Sequence, residues 1–201
     1  MIKQTFYNLP EAKKNRIIDA IKSEFNEVPS NRISINHIIK KANISRGSFY
    51  QYFDDKGDLY EIIATDIADN IKDKFLTHLS EQQGDIFKTF RTILDDNLIS
   101  RDNIKHKKFR GVIPVRNLNT KSIMDKIYDR ISNYNDIILA NIDTSKFISK
   151  DKDYINNVFS LLLSIFRDTT FQFAFRKFSN EEVKECFEKK LQIIQYGCLK
   201  E

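Results

Sequence analysis

The side chains best suited to chemistry lie close together between positions 45 and 52, and they suit contact with double-stranded DNA. Arg46 can donate two hydrogen bonds to the edge of a guanine in the major groove. Gly47 and Ser48 are small enough to let the backbone approach a groove closely. The hydroxyls of Tyr50 and Tyr52 can reach phosphate oxygens. These residue types therefore predict binding to a polyanion rather than a reaction.

Basic charge is concentrated in the same part of the chain. The 201 residues carry a net charge of +5, and residues 1–56 hold ten basic and six acidic groups, or +4 of that total. Lys56 lies at the start of a predicted helix, where exposed backbone N–H groups and the helix dipole favour anions. This asymmetry predicts an N-terminal surface that meets a polyanion, although a mildly basic surface without a partner would give the same count.

The sequence predicts no catalytic residue, no metal site and no cofactor. Its five glycines are too far apart for a GxGxxG motif or a Walker A loop. Cys186 and Cys198 have no further ligands nearby that would complete a zinc finger. Adjacent acidic pairs such as Asp95-Asp96 point about 100° apart on a helix, so the two carboxylates do not converge on one atom. We therefore expect that the protein is not an enzyme.

The whole chain is predicted to be helical, so the expected fold class is all-α. No stretch of β-branched alternation is bounded by hairpin turns. A first long helix is expected from about Pro10 to Asn26, with Ile17, Ile21 and Phe25 in one apolar stripe. C-terminal to the candidate DNA contacts, helices are expected at about 56–78, 85–99, 102–109, 121–141, 151–178 and 181–199.

Two short helices joined by a tight turn are predicted to position the candidate DNA contacts. Ser34 can cap the first helix and Ser45 the second, because a serine oxygen accepts an exposed N–H of a first turn. Asn43 lies where the chain must turn, and asparagine tolerates the left-handed conformation. Phe49 and Phe53 return to the core at i,i+4. With the preceding long helix, these elements make a helix-turn-helix.

The stretch from Ser34 to Leu59 resembles the DNA-binding region of the TetR family of bacterial repressors. It reads S-x-x-x-I-x-x-x-A-x-I-S-x-G-S-F-Y-x-Y-F-x-x-K-x-x-L, and the resemblance covers about the first 60 residues. There are two departures from the family pattern. Asn43 replaces the usual turn glycine, and Val28-Pro29 replaces the glycine–aromatic pair that commonly ends the first helix. Both replacements suit the turns in which they lie.

The resemblance implies DNA contacts from both helices of the motif. Ser34 and Asn36 would touch DNA from the first helix, residues 46–48 would face bases, and residues 50, 52 and 56 would clamp the phosphate backbone. A plain turn-and-cap role for Gly47 and Ser48 remains open, as does packing of Tyr52 between helices. The full set of implied DNA-binding residues is Ser34, Asn36, Ser45, Arg46, Gly47, Ser48, Tyr50, Tyr52 and Lys56.

The resemblance also implies a homodimer in which the last two helices pair with their counterparts in a four-helix bundle. Each of these helices carries an apolar stripe that is compatible with this role, although such a stripe also suits an intramolecular core. The stripes are Phe159, Leu162, Phe166 and Phe173 on one helix, and Val183, Phe187, Leu191 and Ile194 on the other. One short recognition helix offers few base contacts, so a two-fold operator read by two subunits is expected.

The aromatic residues of the C-terminal region could line a cavity for a small molecule, since ligand pockets are mostly apolar. An ordinary aromatic core is the other interpretation of the same residues. The candidate ligand-binding residues are Phe75, Phe87, Phe90, Leu94, Phe109 and Tyr128.

These features together predict a ligand-responsive transcriptional regulator, most simply a repressor released from a palindromic operator by a small molecule. The expected division is a DNA-binding domain at 1–56 and an effector-binding and dimerisation domain at 57–201. The alternatives are a DNA-binding architectural or regulatory protein without an effector, and an enzyme whose helix-turn-helix serves only for interaction. The cytoplasm is the expected location, because the longest apolar run has nine residues and a bilayer span needs about 20.

Overall fold

The computed structural model describes residues 1–105, 121–175 and 178–200 of the chain. Within these ranges the regular structure is helical and contains no strand, which confirms the predicted all-α fold class. The helices are α1 (Gln4–Tyr7), α2 (Glu11–Glu27), α3 (Ile35–Ala42), α4 (Arg46–Tyr52), α5 (Lys56–Glu81), α6 (Ile86–Lys105), α7 (Lys121–Ser132), α8 (Asn135–Leu139), α9 (Lys152–Phe175) and α10 (Asn180–Cys198).

The helices form two compact units. Among the described residues, the first unit contains residues 1–71 and 121–133, and the second contains residues 72–105, 134–175 and 178–200. Each unit has its own apolar core. The functional division between residues 56 and 57 stays a prediction.

The core of the first unit holds α3 and α4 against their neighbours. Ile17, Ile21 and Phe25 of α2 are fully buried, as the apolar stripe predicts. Phe49 and Phe53 are fully buried as well, with ring centroids 5.1 Å apart. Burial of a large apolar side chain contributes about 1.5–3 kcal/mol, so these rings fix α4 to the unit. Helix α7 also belongs to this core, through its buried residues Ile123 and Ile127.

The core of the second unit contains residues from both apolar stripes of the last two helices. Phe159 and Leu162 of α9 are buried with Val183, Phe187 and Leu191 of α10. Phe166 and Ile194 are partly buried and pack against the same core. Position 173 lies among the side chains that the structure does not describe. Within the chain these stripes therefore pack helix against helix, which is the second of the two interpretations that the sequence allowed.

Several predicted helix bounds differ from the observed ones. Helix α6 continues to Lys105, where the sequence suggested a break near residue 100. The four residues at 99–102 include no glycine or proline, so nothing in them forces the helix to stop. The helix predicted at 121–141 is divided into α7 and α8 by a turn at residues 133–134. The short helix α1 was not predicted, because four residues are too few to show a helical period.

No helix in the described ranges combines the length and the apolar character that a membrane span requires.

Candidate nucleic-acid interface

A buried carboxylate joins α2 to the start of α3. Glu24 is only 1% exposed, and its Oε1 accepts a hydrogen bond from the backbone N–H of Ser34 at 3.1 Å. The Nδ1 of His37 lies 3.3 Å from the same oxygen, and Lys41 donates to Oε2 at 3.5 Å. Because a buried charge is costly unless it is paired and hydrogen-bonded, these contacts fix where α3 begins.

The turn between α3 and α4 adopts the conformation predicted from its asparagine. Asn43 has φ 50° and ψ 55°, which is the left-handed region. The backbone N–H of Ile44 donates to the carbonyl of Ile39 at 3.2 Å, and Arg16 donates through Nε to the carbonyl of Ala42 at 2.9 Å. The Ile39 and Ala42 carbonyls at the end of α3 therefore have donors, and only three residues separate α3 from α4.

Serine side chains cap both helices of the motif, as predicted. The Ser34 hydroxyl accepts the backbone N–H of His37 at 3.4 Å, and the Ser45 hydroxyl accepts that of Ser48 at 3.0 Å. The Ser45 and Ser48 hydroxyls also lie 2.9 Å apart. Both caps have a structural role in the chain as it stands, and any contact of these serines with DNA stays a prediction.

The outward face of α4 presents a cation that is held between two polar groups. The exposed Arg46 donates through Nη1 to Oδ1 of Asn36 on α3 at 3.1 Å. Its guanidinium carbon lies 5.6 Å from the centroid of the Tyr50 ring, with Nη2 3.5 Å from the Tyr50 hydroxyl. Across the part of the chain that the structure describes, no carboxylate forms an ion pair with Arg46. Its charge is thus oriented but not neutralised.

The fold gives no steric reason for the glycine at position 47. Gly47 is exposed, and its φ is not positive. A Cβ added there would meet only the Ser45 hydroxyl, at 3.8 Å. A glycine within a helix costs about 0.5–1 kcal/mol relative to alanine. The turn role considered for this residue from the sequence is therefore not required by the backbone.

The remaining predicted DNA-binding residues lie in different surroundings. Lys56 begins α5 and is partly exposed, and no described carboxylate forms an ion pair with it. Tyr52 is only 5% exposed, and its ring packs against Phe6 at 6.3 Å and below the Lys13 ammonium at 5.5 Å. The structure thus brings Asn36, Arg46 and Tyr50 into mutual contact and places Tyr52 in the core.

Two groups that support the interface were not predicted from the sequence. Glu24 lies seven residues after Ile17 and three after Ile21, so helical spacing places it on the apolar face of α2. Its burial could therefore have been predicted from the sequence. The other group is the segment that precedes α2. Its Phe6 packs 5.0 Å from Phe53 between ring centroids, and no periodicity in so short a segment could have indicated that contact.

The candidate ligand-binding residues lie mostly in the core of the second unit. Phe75, Phe87, Phe90 and Leu94 are buried, and the rings of Phe75 and Phe90 meet edge to face at 5.4 Å. Phe87 also lines a cleft of about 140 Å³ whose other walls include polar groups. Position 109 and the side chain at position 128 lie outside the described residues. In the same ranges no cluster of three or more histidine, cysteine or acidic side chains could hold a metal ion.

Two family models match the chain over most of its length. One, described as bacterial regulatory proteins of the tetR family, matches residues 17–63. The other, described as a tetracyclin repressor-like C-terminal domain, matches residues 85–198. The first match includes α3 and α4, and the second includes α9 and α10.

Individual proteins are similar to parts of the chain or to its fold. The HTH-type transcriptional regulator BetI of Escherichia coli is 31% identical over 86 residues, which is 42% of this chain and 44% of that protein. The HTH-type transcriptional regulator SAR2658 of Staphylococcus aureus is 27% identical over 125 residues, 60% of this chain and 65% of that protein. The chain thus spans less than two thirds of either relative. A TetR-family regulator from Mesorhizobium loti has a similar fold, with a TM-score of 0.58 and 15% identity over 94% of this chain and 98% of its own.

Proposed function

The chain belongs to the TetR family of bacterial regulatory proteins, and on that premise we propose that it is a transcriptional repressor. As a homodimer it binds a palindromic operator in double-stranded DNA in the cytoplasm. A small molecule bound by the C-terminal region releases it from that operator. Regulation of transcription, and not catalysis, is its proposed activity.

The observation that carries this proposal is the outward face of α4. Arg46 and Tyr50 are exposed there, and the exposed Gly47 beside them adds no side chain, although the fold does not require a glycine at that position. Recognition of a base edge requires the arginine to reach a guanine while the helix backbone comes near the groove wall. An oriented arginine suits the first requirement, and an exposed glycine next to it suits the second. Phe49 and Phe53 hold the opposite face in the core.

The proposed contacts follow from these positions. Arg46 reads a base edge, with Asn36 orienting its guanidinium from α3. Tyr50 and Lys56 contact phosphates, which fixes the register of the helix on the duplex. Ser34, Ser45 and Ser48 lie at the helix starts and contribute hydroxyls to the same surface. We assign Tyr52 to packing, because its burial leaves little of the side chain for DNA.

A second copy of the chain is proposed to pair through α9 and α10. Large apolar side chains lie exposed on these helices although the inward stripes are buried. Leu161 on α9 is 54% exposed, and Ile193 and Tyr196 on α10 are 74% and 82% exposed. Exposed apolar surface on adjacent helices supports association between copies. A two-fold pair of recognition helices would then match a palindromic operator.

The effector is proposed to bind within the second unit, most of whose described residues the C-terminal family model matches. To release DNA, it must bind the state that cannot fit the operator more tightly than the state that can. The cleft of about 140 Å³ beside Phe87 is smaller than the roughly 300–1,000 Å³ of typical ligand sites. A thermal-shift screen tests this part of the proposal. An effector should raise the melting temperature and release the protein from DNA. If the screen finds no compound that does both, the alternative of a regulator without an effector is favoured.

The DNA-binding part is tested by selecting duplexes from a random library with the full-length protein. The selected duplex and a scrambled duplex of equal length are then compared by fluorescence anisotropy between 50 and 200 mM salt. The proposal expects specific binding about 10³-fold or more tighter than non-specific binding. It also expects the logarithm of the affinity to fall linearly with the logarithm of salt. Equal affinity for both duplexes at moderate salt would refute it.

A further inference from the structure

The C-terminal carbonyls of α4 receive donors from the start of the chain. The last four residues of a helix leave their carbonyls without an intrahelical partner. In α4 the Tyr50 carbonyl accepts from Lys3 Nζ at 2.7 Å, and the Tyr52 carbonyl accepts from the Lys3 backbone N–H at 2.9 Å. The Gln51 carbonyl accepts from the hydroxyl of Thr5. The fourth, that of Phe49, accepts the backbone N–H of Phe53 at 2.9 Å.

The segment that supplies these donors is itself anchored. Phe6 is buried between Tyr52 and Phe53, with ring centroids 6.3 Å and 5.0 Å away. Its backbone N–H donates to the Lys3 carbonyl at 2.9 Å, which fixes the conformation of residues 3–6. Lys3 also forms an ion pair with Asp54 at 2.9 Å, just beyond the end of α4. The donors are therefore held in place by contacts on both sides.

These contacts matter because α4 is too short to be stable by itself. A helix of seven residues has at most three internal hydrogen bonds, and isolated helices below about 12 residues are marginal in water. The carbonyl end of a helix also carries partial negative charge, which a nearby ammonium stabilises. Donors to three of the four carbonyls tie down the end of α4 without occupying Arg46 or Gly47 on its outward face.

We propose that Lys3 and Thr5 are positioning residues for DNA recognition, because they hold the carbonyl end of α4 and so fix the angle at which Arg46 and Tyr50 meet the duplex. This inference rests on the proposed function. It assigns a role in sequence discrimination to two residues that lie outside the helix-turn-helix motif. Neither residue needs to touch a base for that role.

Thr5→Val is the variant that isolates this role, since it removes one donor while keeping size and charge. Thr77→Val is its matched control, because the Thr77 hydroxyl donates to the Asp73 carbonyl within the long helix α5 at 2.8 Å. Hydrogen exchange of the full-length protein without DNA should become faster in residues 49–53 of Thr5→Val, and not in Thr77→Val. Thr5→Ser retains the hydroxyl and should restore slow exchange.

Binding to the selected and scrambled duplexes provides the second measurement. Thr5→Val should lower the ratio of specific to non-specific affinity by about threefold to tenfold, which corresponds to the loss of one hydrogen bond. Lys3→Met should lower the same ratio, whereas Lys14→Met removes an equal charge from α2 and should leave the ratio unchanged. Non-specific affinity should be similar in Thr5→Val and wild type.

The possible outcomes separate the two proposals. Unchanged exchange in α4 together with an unchanged affinity ratio in Thr5→Val would overturn the positioning role and leave the proposed function intact. Faster hydrogen exchange in α4 with an unchanged affinity ratio would show that Thr5 stabilises the helix end without acting on recognition. That outcome would also overturn the positioning role. A wild-type protein that binds both duplexes equally would refute the proposed function and this inference with it.

Discussion

The guanidinium of Arg46 is oriented before any DNA is bound, because Asn36 and Tyr50 already hold it. Arg46→Ala should therefore cost about 1–3 kcal/mol of operator binding and relax the sequence preference at one position. Lys56→Ala is the comparison, since a phosphate contact carries no sequence information. It should weaken binding to all duplexes alike and reduce the salt slope by about 0.9 for each of the two subunits. Anisotropy titrations over several salt concentrations measure both, and identical behaviour of the two variants would contradict these roles.

Gly47 offers a test in which stability and binding should change in opposite directions. Gly47→Ala adds a methyl group that clashes with nothing, since its nearest neighbour would be the Ser45 hydroxyl at 3.8 Å, so it should raise the free energy of unfolding by about 0.5 kcal/mol in urea denaturation. The same methyl group would lie between α4 and a groove wall, so affinity for the selected duplex should fall. Gly197→Ala also enters open space, on α10, and is the control for the change in stability alone, because Gly197 lies one turn from Ile193 in the proposed dimer surface. A Gly47→Ala protein that binds DNA as tightly as wild type would argue against close approach at this position.

Much of the candidate site could be predicted at this scale because its signals are local. Ser34 and Ser45 as caps and Asn43 in the left-handed turn depend only on neighbours within a few residues. The burial of Tyr52 depends on Phe6, a contact between residues 46 positions apart. No spacing rule within the motif contains that information, which is why both roles of Tyr52 remained open from the sequence.

Helix α7 is joined to α5 by a carboxylate that accepts two cationic donors. Glu61 accepts from Lys126 at 2.7 Å through one oxygen and from Arg130 at 2.7 Å through the other. Burial by itself raises the pKa of Glu61, but the hydrogen bonds and charges of Lys126 and Arg130 outweigh it and lower the pKa below its usual value of 4.5. The ionised form is therefore the one that stabilises the fold.

Glu61→Gln should lower the free energy of unfolding by about 1 kcal/mol at pH 7, since Glu61 and its two cationic partners are only partly exposed. A group whose pKa is lowered on folding stabilises the protein above its unfolded pKa, and this stability is lost as the pH falls through the folded value. The difference between wild type and Glu61→Gln should thus be full at pH 7 and should shrink below a pH of about 4.5. Urea denaturation from pH 7 down to pH 3.5 measures it.

Glu185→Gln provides the comparison for this prediction. Its pair with Lys189 lies on the exposed surface of α10, so its removal should have little effect on unfolding at any pH. A loss as large as that of Glu61→Gln would show that the cost comes from the substitution itself and not from the link between α5 and α7.

At the scale of elements, helix existence could be predicted better than helix partners. The stripe of α2 and the two capped helices of the motif follow from periodicity and turn residues. The packing of α7 in the core of the first unit could not be predicted in this way. Ile123 and Ile127 show only that α7 has an apolar side, and many apolar surfaces in the chain could have covered it.

At the scale of the whole molecule, the proposed homodimer depends on apolar side chains that the chain itself does not cover. Ile193→Glu places a charge in that surface on α10, and it should raise the dimer dissociation constant about a hundredfold, since an apolar contact is lost from each copy. Specific operator binding should fall with it. Sedimentation equilibrium checks the first expectation and anisotropy the second.

Ile148→Glu is the matched control for this change. Ile148 is 56% exposed in the second unit but lies outside α9 and α10. The dimer should therefore be unaffected by the same substitution at this position. If Ile193→Glu remains a dimer, the proposed interface is wrong. The sequence could not select this surface because an amphipathic stripe does not tell an intramolecular neighbour from a second copy.

The Glu24 carboxylate has a practical consequence for engineering chimeric regulators. An exchange of residues 33–53 alone would transplant the motif but leave behind the acid that receives the Ser34 backbone N–H. In a recipient with an apolar residue at the position of Glu24, the backbone N–H of Ser34 would have no acceptor. When a foreign motif replaces residues 33–53 of this chain instead, Glu24 stays buried without its partners, which costs about 3–5 kcal/mol. A transplant that preserves the geometry of the donor should therefore begin before residue 24.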